Sequence, residues 1–326
     1  MLQSPYAVLR RALLYVPSSS QRMLIKSTSL AVDNVTYDLE DSVTPHQKSE
    51  ARSALVNHLS KLSRPSTIGE LAVRINAVST AHALEDLTAL AAQPSLDAIV
   101  VPKVNSASDL NFVTDVIRHV APERFSLPAS TAPPAQRQPI ELIALIESAR
   151  AVMDLRSICT ASPYLKGLIF AAEDFAWDLS LTRTPSLTEF IYARSAIATA
   201  ARAFGIPSTI DLVCTTYKGE EGTRRLEEEC RNGKSMGFNG KQCIHPSQVE
   251  IVQRMFAPSA DEVEWSVRVL IANEKATTAG KGAWTLDGKM IDAPVVGKAR
   301  AVVAKAEKCG MDVDQMKAKF ADQNPE

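Results

Sequence analysis

The chain has 326 residues, 45% hydrophobic and 22% charged, with 36 Lys and Arg against 37 Asp and Glu. That length suits a (β/α)8 barrel with an appendage, and the apolar share rules out global disorder. The near-zero net charge leaves no electrostatic footprint for nucleic acid or an anionic membrane, and no apolar run approaches the ~18 residues of a membrane span.

The basic, apolar stretch "AVLRRALLYVP" comes first, and its apolar half reads as a first core strand, "ALLYVP" (12–17). A cleavable leader would have to fit in the short stretch before Arg10. Strand-length apolar runs then recur: "NVTYDLE" (34–40), "LAVRIN" (71–76), "DAIVVPKV" (97–104), "ELIALIE" (141–147), "GLIFAAED" (167–174), "IDLVCT" (210–215) and "GFNGKQCI" (237–244). Between them lie amphipathic stretches such as "TAHALEDLTALAAQ" and "LTEFIYARSAIATAARAFG", the latter closing on Gly205 as a helix C-cap. Strand and helix in alternation predict a parallel α/β sheet, and eight such units predict a closed barrel rather than an open, doubly wound sheet. Neither GxGxxG nor GxxxxGK[ST] occurs, which removes the usual nucleotide-binding rivals.

The stretch "APERFSLPASTAPPAQRQP" (121–139) lacks periodicity and reads as an exposed connection. After the eighth strand, Ser259 is the expected N-cap of a helix with acids in its first turns. A Gly-punctuated, hairpin-like "GKGAWTLDGKMIDAPVV" and a last helix near "GKARAVVAKAEKCG" follow. This divides the chain into a barrel over 1–258 and an extension over 259–326, the latter expected to be too small for a core of its own and to pack on the barrel or a neighbouring subunit. The five cysteines show no CxxC spacing, so neither a disulfide framework nor a zinc site is expected. A reducing compartment fits best, either the cytoplasm or the mitochondrial matrix.

Active sites of such barrels sit at the C-terminal ends of the strands, so the strand ends are read as one set. They supply Asp38, Glu40 and Asp41; Arg74 and Asn76; Lys103; Glu147; Glu173 and Asp174; and His245. Acids converging from different strands repel unless something positive lies among them. Glu147 and Asp174, from adjacent strands, could be two ligands of a divalent cation, and all-oxygen ligation with two carboxylates suits Mg²⁺. Arg74 would face an anionic substrate or a developing oxyanion. Plainer roles compete with these: Glu173 and Asp174 opening a helix, Asp38 and Glu40 in structural salt bridges, His245 capping the next helix.

Taken in order, "RRALLYVP", "DLEDSV", "VRINAV", "VPKV", "LIALIESA", "AAEDFAWDL", "TIDLVCT", "MGFNGKQCIHPSQ" and "KGAWTLDGKMIDAPVV" resemble the citrate lyase beta-subunit/malyl-CoA lyase aldolase family, most of all its branch of eukaryotic citramalyl-CoA lyases, from Arg10 to Lys305. The resemblance implies a (β/α)8 barrel with a C-terminal extension, Mg²⁺ dependence, CoA thioester and small oxyacid substrates, and a homotrimer with shared active sites. It implies Glu147 and Asp174 as metal ligands and Arg74 as the arginine at the reacting oxyacid and enolate. Asp292 falls on the catalytic aspartate that a neighbouring subunit's extension brings over the barrel mouth. Glu40 and Asp41 match acids that support the metal's water, and Lys103 joins the substrate-binding set. The implied reaction is cleavage of a 3-hydroxyacyl-CoA, with citramalyl-CoA giving acetyl-CoA and pyruvate placed first. Malyl-CoA lyase, malate synthase-like or thioesterase activity, a pyruvate-type aldolase without CoA, and a catalytically silent subunit are the rivals. Ser18, Asn105, the Ala171-Ala172 pair and Arg183 depart from the family pattern in loops that shape the substrate pocket.

Overall fold

The computed structural model describes residues 8–125 and 139–326. The stretch that bears on a leader falls largely on residues 1–7, and most of the aperiodic connection falls on 126–138; both lie outside the described residues. The chain forms two compact units, one ending at Arg254 and the other spanning Met255–Glu326. Among the described residues no helix is long and apolar enough to cross a membrane.

The first unit is a closed barrel of eight parallel strands, as the strand–helix alternation requires. They are β1 (Ala12–Pro17), β2 (Val32–Asp38), β3 (Ile68–Arg74), β4 (Ala98–Val101), β5 (Glu141–Ile146), β6 (Leu165–Phe170), β7 (Ser208–Asp211) and β8 (Gly240–Cys243). Each pairs with the next, and β8 closes on β1 with Leu13 opposite Gln242. Side chains alternate faces along a strand, and every second residue builds the interior: Leu13, Ala72, Ala98, Val100, Ile143, Leu145, Ile169 and Ile210 form one buried cluster, with Tyr15 and Ala171 against it. The same period carries Arg74 inward two residues beyond Ala72, and Glu147 inward two beyond Leu145.

Below this apolar layer the barrel is plugged by charge. Arg10 is buried and donates to Glu70 Oε1 (2.6 Å), to Glu141 and to Ser208 Oγ (3.1 Å), while Asn34 Nδ2 donates to Glu70 Oε2 (2.6 Å). A buried ion needs this density of partners to offset its desolvation.

One strand ends earlier than its sequence suggests. The run 167–174 reads as a single strand, but β6 stops at Phe170 and Ala172–Asp178 is a helix. The ladder to β7 ends at Ile169 opposite Ile210, so little pairing holds the chain extended beyond it. Glu173 and Asp174 then occupy a helical first turn, where the positive end of the helix dipole favours acids.

The second unit begins with the helix Ala260–Thr278, capped by Ser259, whose hydroxyl accepts from Glu262 N (3.1 Å). A hairpin follows, β9 (Trp284–Leu286) and β10 (Lys289–Ile291). It turns through Asp287 and Gly288 at φ 51° and 70°, the Asp-Gly signature of a tight two-residue hairpin turn. The helices Ala293–Lys308 and Val313–Lys319 complete it. The expectation that this extension lacks a core is corrected: Trp284, Leu286 and Ile291 of the hairpin bury against Val269, Ala272, Ala276, Val296 and Ala299. Two large apolar side chains and an Ile from so short a hairpin supply what the small helix residues lack.

Barrel closure yields a test. A Cβ at Gly240 would lie 1.9 Å from the Arg10 carbonyl oxygen, a backbone atom that cannot step aside. Gly240→Ala should cost about 3 kcal/mol or prevent folding. Gly282→Ala, with nothing within 4 Å of its Cβ, should stay within about 0.5 kcal/mol in urea denaturation.

Candidate active site

The C-terminal rim of the barrel is organised by Arg74. Its Nε and Nη2 donate to the two oxygens of Asp38, both at 2.7 Å, in a bidentate fork. Its Nη1 lies 3.1 Å from Glu40 Oε2 and 3.5 Å from Asp41 Oδ2. Glu40 Oε2 is nonetheless without a hydrogen bond, because it sits out of line with the guanidinium N–H. The guanidinium stacks 4.6 Å from the centre of the Tyr15 ring. Burial opposes the charged form of Asp38, but Arg74 outweighs it and holds the carboxyl below its ordinary value. Asp38 is further fixed by the backbone N–H groups of Glu40 (2.9 Å) and Ser42 (3.1 Å).

Lys103 serves two acids at once. Its Nζ donates to Glu40 and lies 3.7 Å from Asp41 Oδ1, while its backbone N–H donates to Glu147. Lys103 sits at φ 51°, a left-handed conformation that a non-glycine residue seldom adopts. Burial raises the Glu40 carboxyl, with Asp41 adding to the rise and Arg74 and Lys103 opposing it.

Glu147, directly after β5, is 5% exposed. Burial, then the charges of Asp174 and Glu40, push its carboxyl up to about 8 against the pull of Lys103. Asp174 is half-buried, and among the described residues no hydrogen-bond donor reaches its carboxylate. Both acids line a cavity of about 420 Å³ together with Tyr15, Asp38, Asp41, Arg74 and Gln242. They also border a second one of about 240 Å³, rimmed by Lys103, Asn105, Ser148 and the exposed Trp177. Glu147 and Asp174 thus face the same cavity, and no group of three or more His, Cys, Asp or Glu among the described residues is arranged to hold a metal ion.

Arg74, Glu40, Asp41, Lys103, Glu147 and Asp174 therefore meet at one rim, although Arg74 is already committed to Asp38. Asp292 lies in the second unit, where it is the N-cap of the helix Ala293–Lys308 and accepts from Val295 N (3.2 Å). His245 takes the capping role weighed for it: its Nδ1 accepts from Ser247 N (3.2 Å), and its ring stacks on Tyr217. Asn76 turns away to Asp86 (2.7 Å). Tyr15 and Gln242 escape the strand-end reading. Tyr15 donates to Gln242 Oε1 (3.0 Å), and Gln242 Nε2 spans the carbonyls of Phe170 (2.9 Å) and Asp211 (3.2 Å), tying β1, β6, β7 and β8 together beneath the cavity. The signal for Tyr15 was its inward parity with Leu13; a neutral amide inside a short strand gives none.

Residues 11–246 match the HpcH/HpaI aldolase/citrate lyase family model, and the chain belongs to that family. It is 33% identical to the mitochondrial citramalyl-CoA lyase of Homo sapiens, across 91% of this chain and 85% of that protein. It is equally 33% identical to a (3S)-malyl-CoA thioesterase of Cereibacter sphaeroides, across 91% and 94%. Among solved structures, the protein CitE of Mycobacterium tuberculosis in complex with magnesium, acetoacetate and coenzyme A superposes with a TM-score of 0.70 at 30% identity, covering 93% of this chain and 99% of that one.

The raised Glu147 carboxyl sets a pH dependence. Folded, it keeps its proton up to about 8; unfolded, it releases it near 4.5. Between those values the folded chain binds more proton than the unfolded one, so stability falls as pH rises. Without divalent metal, thermal denaturation of the wild type should therefore drop across this window more steeply than that of Glu147→Gln, which has nothing to titrate there. Parallel slopes would remove Glu147 as the source.

Proposed function

We propose that the chain is a Mg²⁺-dependent carbon–carbon lyase of CoA thioesters. It cleaves a 3-hydroxyacyl-CoA, with citramalyl-CoA, giving acetyl-CoA and pyruvate, as the first candidate. The observation that carries this reading is that Glu147, directly after β5, and Asp174, in the helical turn after β6, face one cavity beside Arg74. The donor set fits the ion. Two carboxylates, one without a hydrogen-bond donor among the described residues and the other raised to about 8 by burial and then by the charges of Asp174 and Glu40, leave room for a hard cation that keeps water and takes ligand oxygens. Support also comes from the M. tuberculosis protein solved with magnesium, acetoacetate and coenzyme A.

A groove of about 390 Å³ adjoins the cavity through Tyr15, Pro17 and Ile244, which border both. Arg22 and Lys26 line it one helical turn apart, exposed and without acidic partners among the described residues. Two free cations beside an apolar wall suit the phosphates and chain of a CoA thioester better than a free oxyacid, which favours the CoA-dependent reading over the pyruvate-type aldolase.

Glu147 and Asp174 would hold Mg²⁺, which would supply Lewis-acid charge to the oxygens of the acyl group. Once the hydroxyl proton has gone to a base, the C–C bond breaks and its electrons pass into a thioester enolate. Arg74, aimed by its fork to Asp38, stabilises that negative charge. Asp292 protonates the enolate carbon and, in the condensing direction, takes that proton back. Glu40, Asp41 and Lys103 support the ion's water and the substrate. The assembly belonging to this reading is a homotrimer in which Asp292 comes from a neighbour. Its compartment is cytoplasmic or the mitochondrial matrix, in keeping with cysteines that form no disulfide among the described residues.

A panel of malyl-, methylmalyl- and citramalyl-CoA, followed by acetyl-CoA formation with and without Mg²⁺, tests the activity; release of free CoA instead would mark a thioesterase. Glu147→Ala and Asp174→Ala should each abolish Mg²⁺-dependent turnover while still unfolding cooperatively. Near wild-type kcat in either at saturating Mg²⁺ would overturn the ligand assignment. For the shared site, inactive Asp174→Ala and Asp292→Ala chains, refolded together, should recover part of the activity. Hetero-oligomers demonstrated without any recovery would sink that model.

A further inference from the structure

Glu173 and Asp174 are consecutive in one helical turn, and both border the 420 Å³ cavity. They differ in what they touch. Asp174 has no donor among the described residues, whereas Glu173 receives Nη1 of Arg183. Arg183 comes from the loop after the helix Ala172–Asp178, and its Nη2 donates to the Val213 carbonyl (2.9 Å) and to Glu229 Oε1 (3.0 Å). Glu229 is buried on the helix Gly219–Ser235 and is held in turn by Lys241 Nζ (3.0 Å) from β8 and by Arg225 Nε (3.1 Å). The guanidinium is thus moored to the β7–β8 side of the barrel and reaches across to draw Glu173 towards it. Its side chain is 16% exposed and that of Glu173 52%, so water screens the Glu173 end of the pair, and it is the anchoring of the guanidinium on Val213 and Glu229 that fixes where Glu173 is drawn.

We propose that Arg183 is a positioning residue that keeps Glu173 out of the cation's coordination shell, so that of the two adjacent carboxylates only Asp174 joins Glu147. This rests on the Mg²⁺ reading above. The physical reason is coordination number. A third carboxylate strengthens the hold on a divalent ion but fills a position that ligand oxygens must take. Freeing Glu173 should therefore tighten metal binding and slow turnover together. A general loosening of the loop would do the opposite to the metal.

The test is titration of the metal-free, full-length protein with Mn²⁺, read by electron paramagnetic resonance, alongside turnover of the CoA thioester. Arg183→Met should bind Mn²⁺ on the order of ten-fold tighter and turn over on the order of ten-fold more slowly. Adding Glu173→Gln to it should bring both back towards wild type. Should Arg183→Met fail to unfold cooperatively, Arg183→Lys serves in its place. One ammonium cannot hold both acids, and the buried Glu229 retains it, so the same signs are expected. Unchanged or weaker Mn²⁺ binding, or a loss that Glu173→Gln does not relieve, overturns the inference. Glu147→Ala separates the two levels. If it binds Mn²⁺ like the wild type, the metal reading fails and the role of Arg183 falls with it. If it loses Mn²⁺ while Arg183→Met binds as the wild type does, the role of Arg183 alone is lost.

Discussion

Negative charge at the mouth of the barrel exceeds what its own cations can balance, and the imbalance has a direction. Asp38, Glu40, Asp41, Glu147 and Asp174 gather there with Arg74 and Lys103. Both cations are spent mainly on the acids that follow β2: Arg74 forks onto Asp38, and the Lys103 amine goes to Glu40. The side of the rim built by β5 and β6 is left with a backbone N–H for Glu147 and no donor for Asp174 among the described residues. Charge is therefore sorted into a satisfied half and a deficient half, and the deficient half faces the open cavity. A deficit in so confined a place is met by a proton on Glu147 or, on the proposed reading, by a cation from outside the chain.

The rest of the unit shows how differently charge is handled where nothing is to be bound. At the opposite end Arg10 is saturated by Glu70, Glu141 and Ser208. On the outside of the strands, Arg194 and Asp211, both fully buried, pair at 2.6 Å, with Asn232 completing the guanidinium. Lys241 and Glu229 are matched in the same way. Buried ions survive in a fold when partners replace their water. Against that background the rim is the exception, and exceptions to local consistency are where function concentrates.

Much of this was legible in the sequence, and the parts that were not share a cause. Strand identity follows from apolar runs, so β1 and β5 begin where the runs do. The inward aim of Arg74 and Glu147 follows from the two-residue period. The end of β6 did not follow, because "AAED" is compatible with both a strand end and a helix start; the loss of its ladder to β7 decides it, and that is a fact about another strand. The Arg74–Asp38 fork was likewise hidden in the register of β2 on β3, and the Arg10 plug and the span of Gln242 join residues that only the closed barrel makes neighbours. The catalytic role proposed for Asp292 comes from family resemblance alone; as a hairpin-to-helix aspartate it reads locally as a cap, and capping is what it does within its own unit.

Lys103 carries one more implication. Its main chain feeds Glu147 and its side chain feeds Glu40, both from a backbone in the left-handed region. A left-handed non-glycine residue persists only where its surroundings hold it. The amine anchored on Glu40 is one of the things holding it, so the two bonds are coupled: shortening the side chain also relaxes the restraint that aims the N–H. A conventional alanine scan would score this position as a lost ammonium, when part of the damage would be a main-chain donor drifting off a different acid. Glycine, which adopts the conformation freely, is the informative replacement, because it removes the amine while sparing the turn.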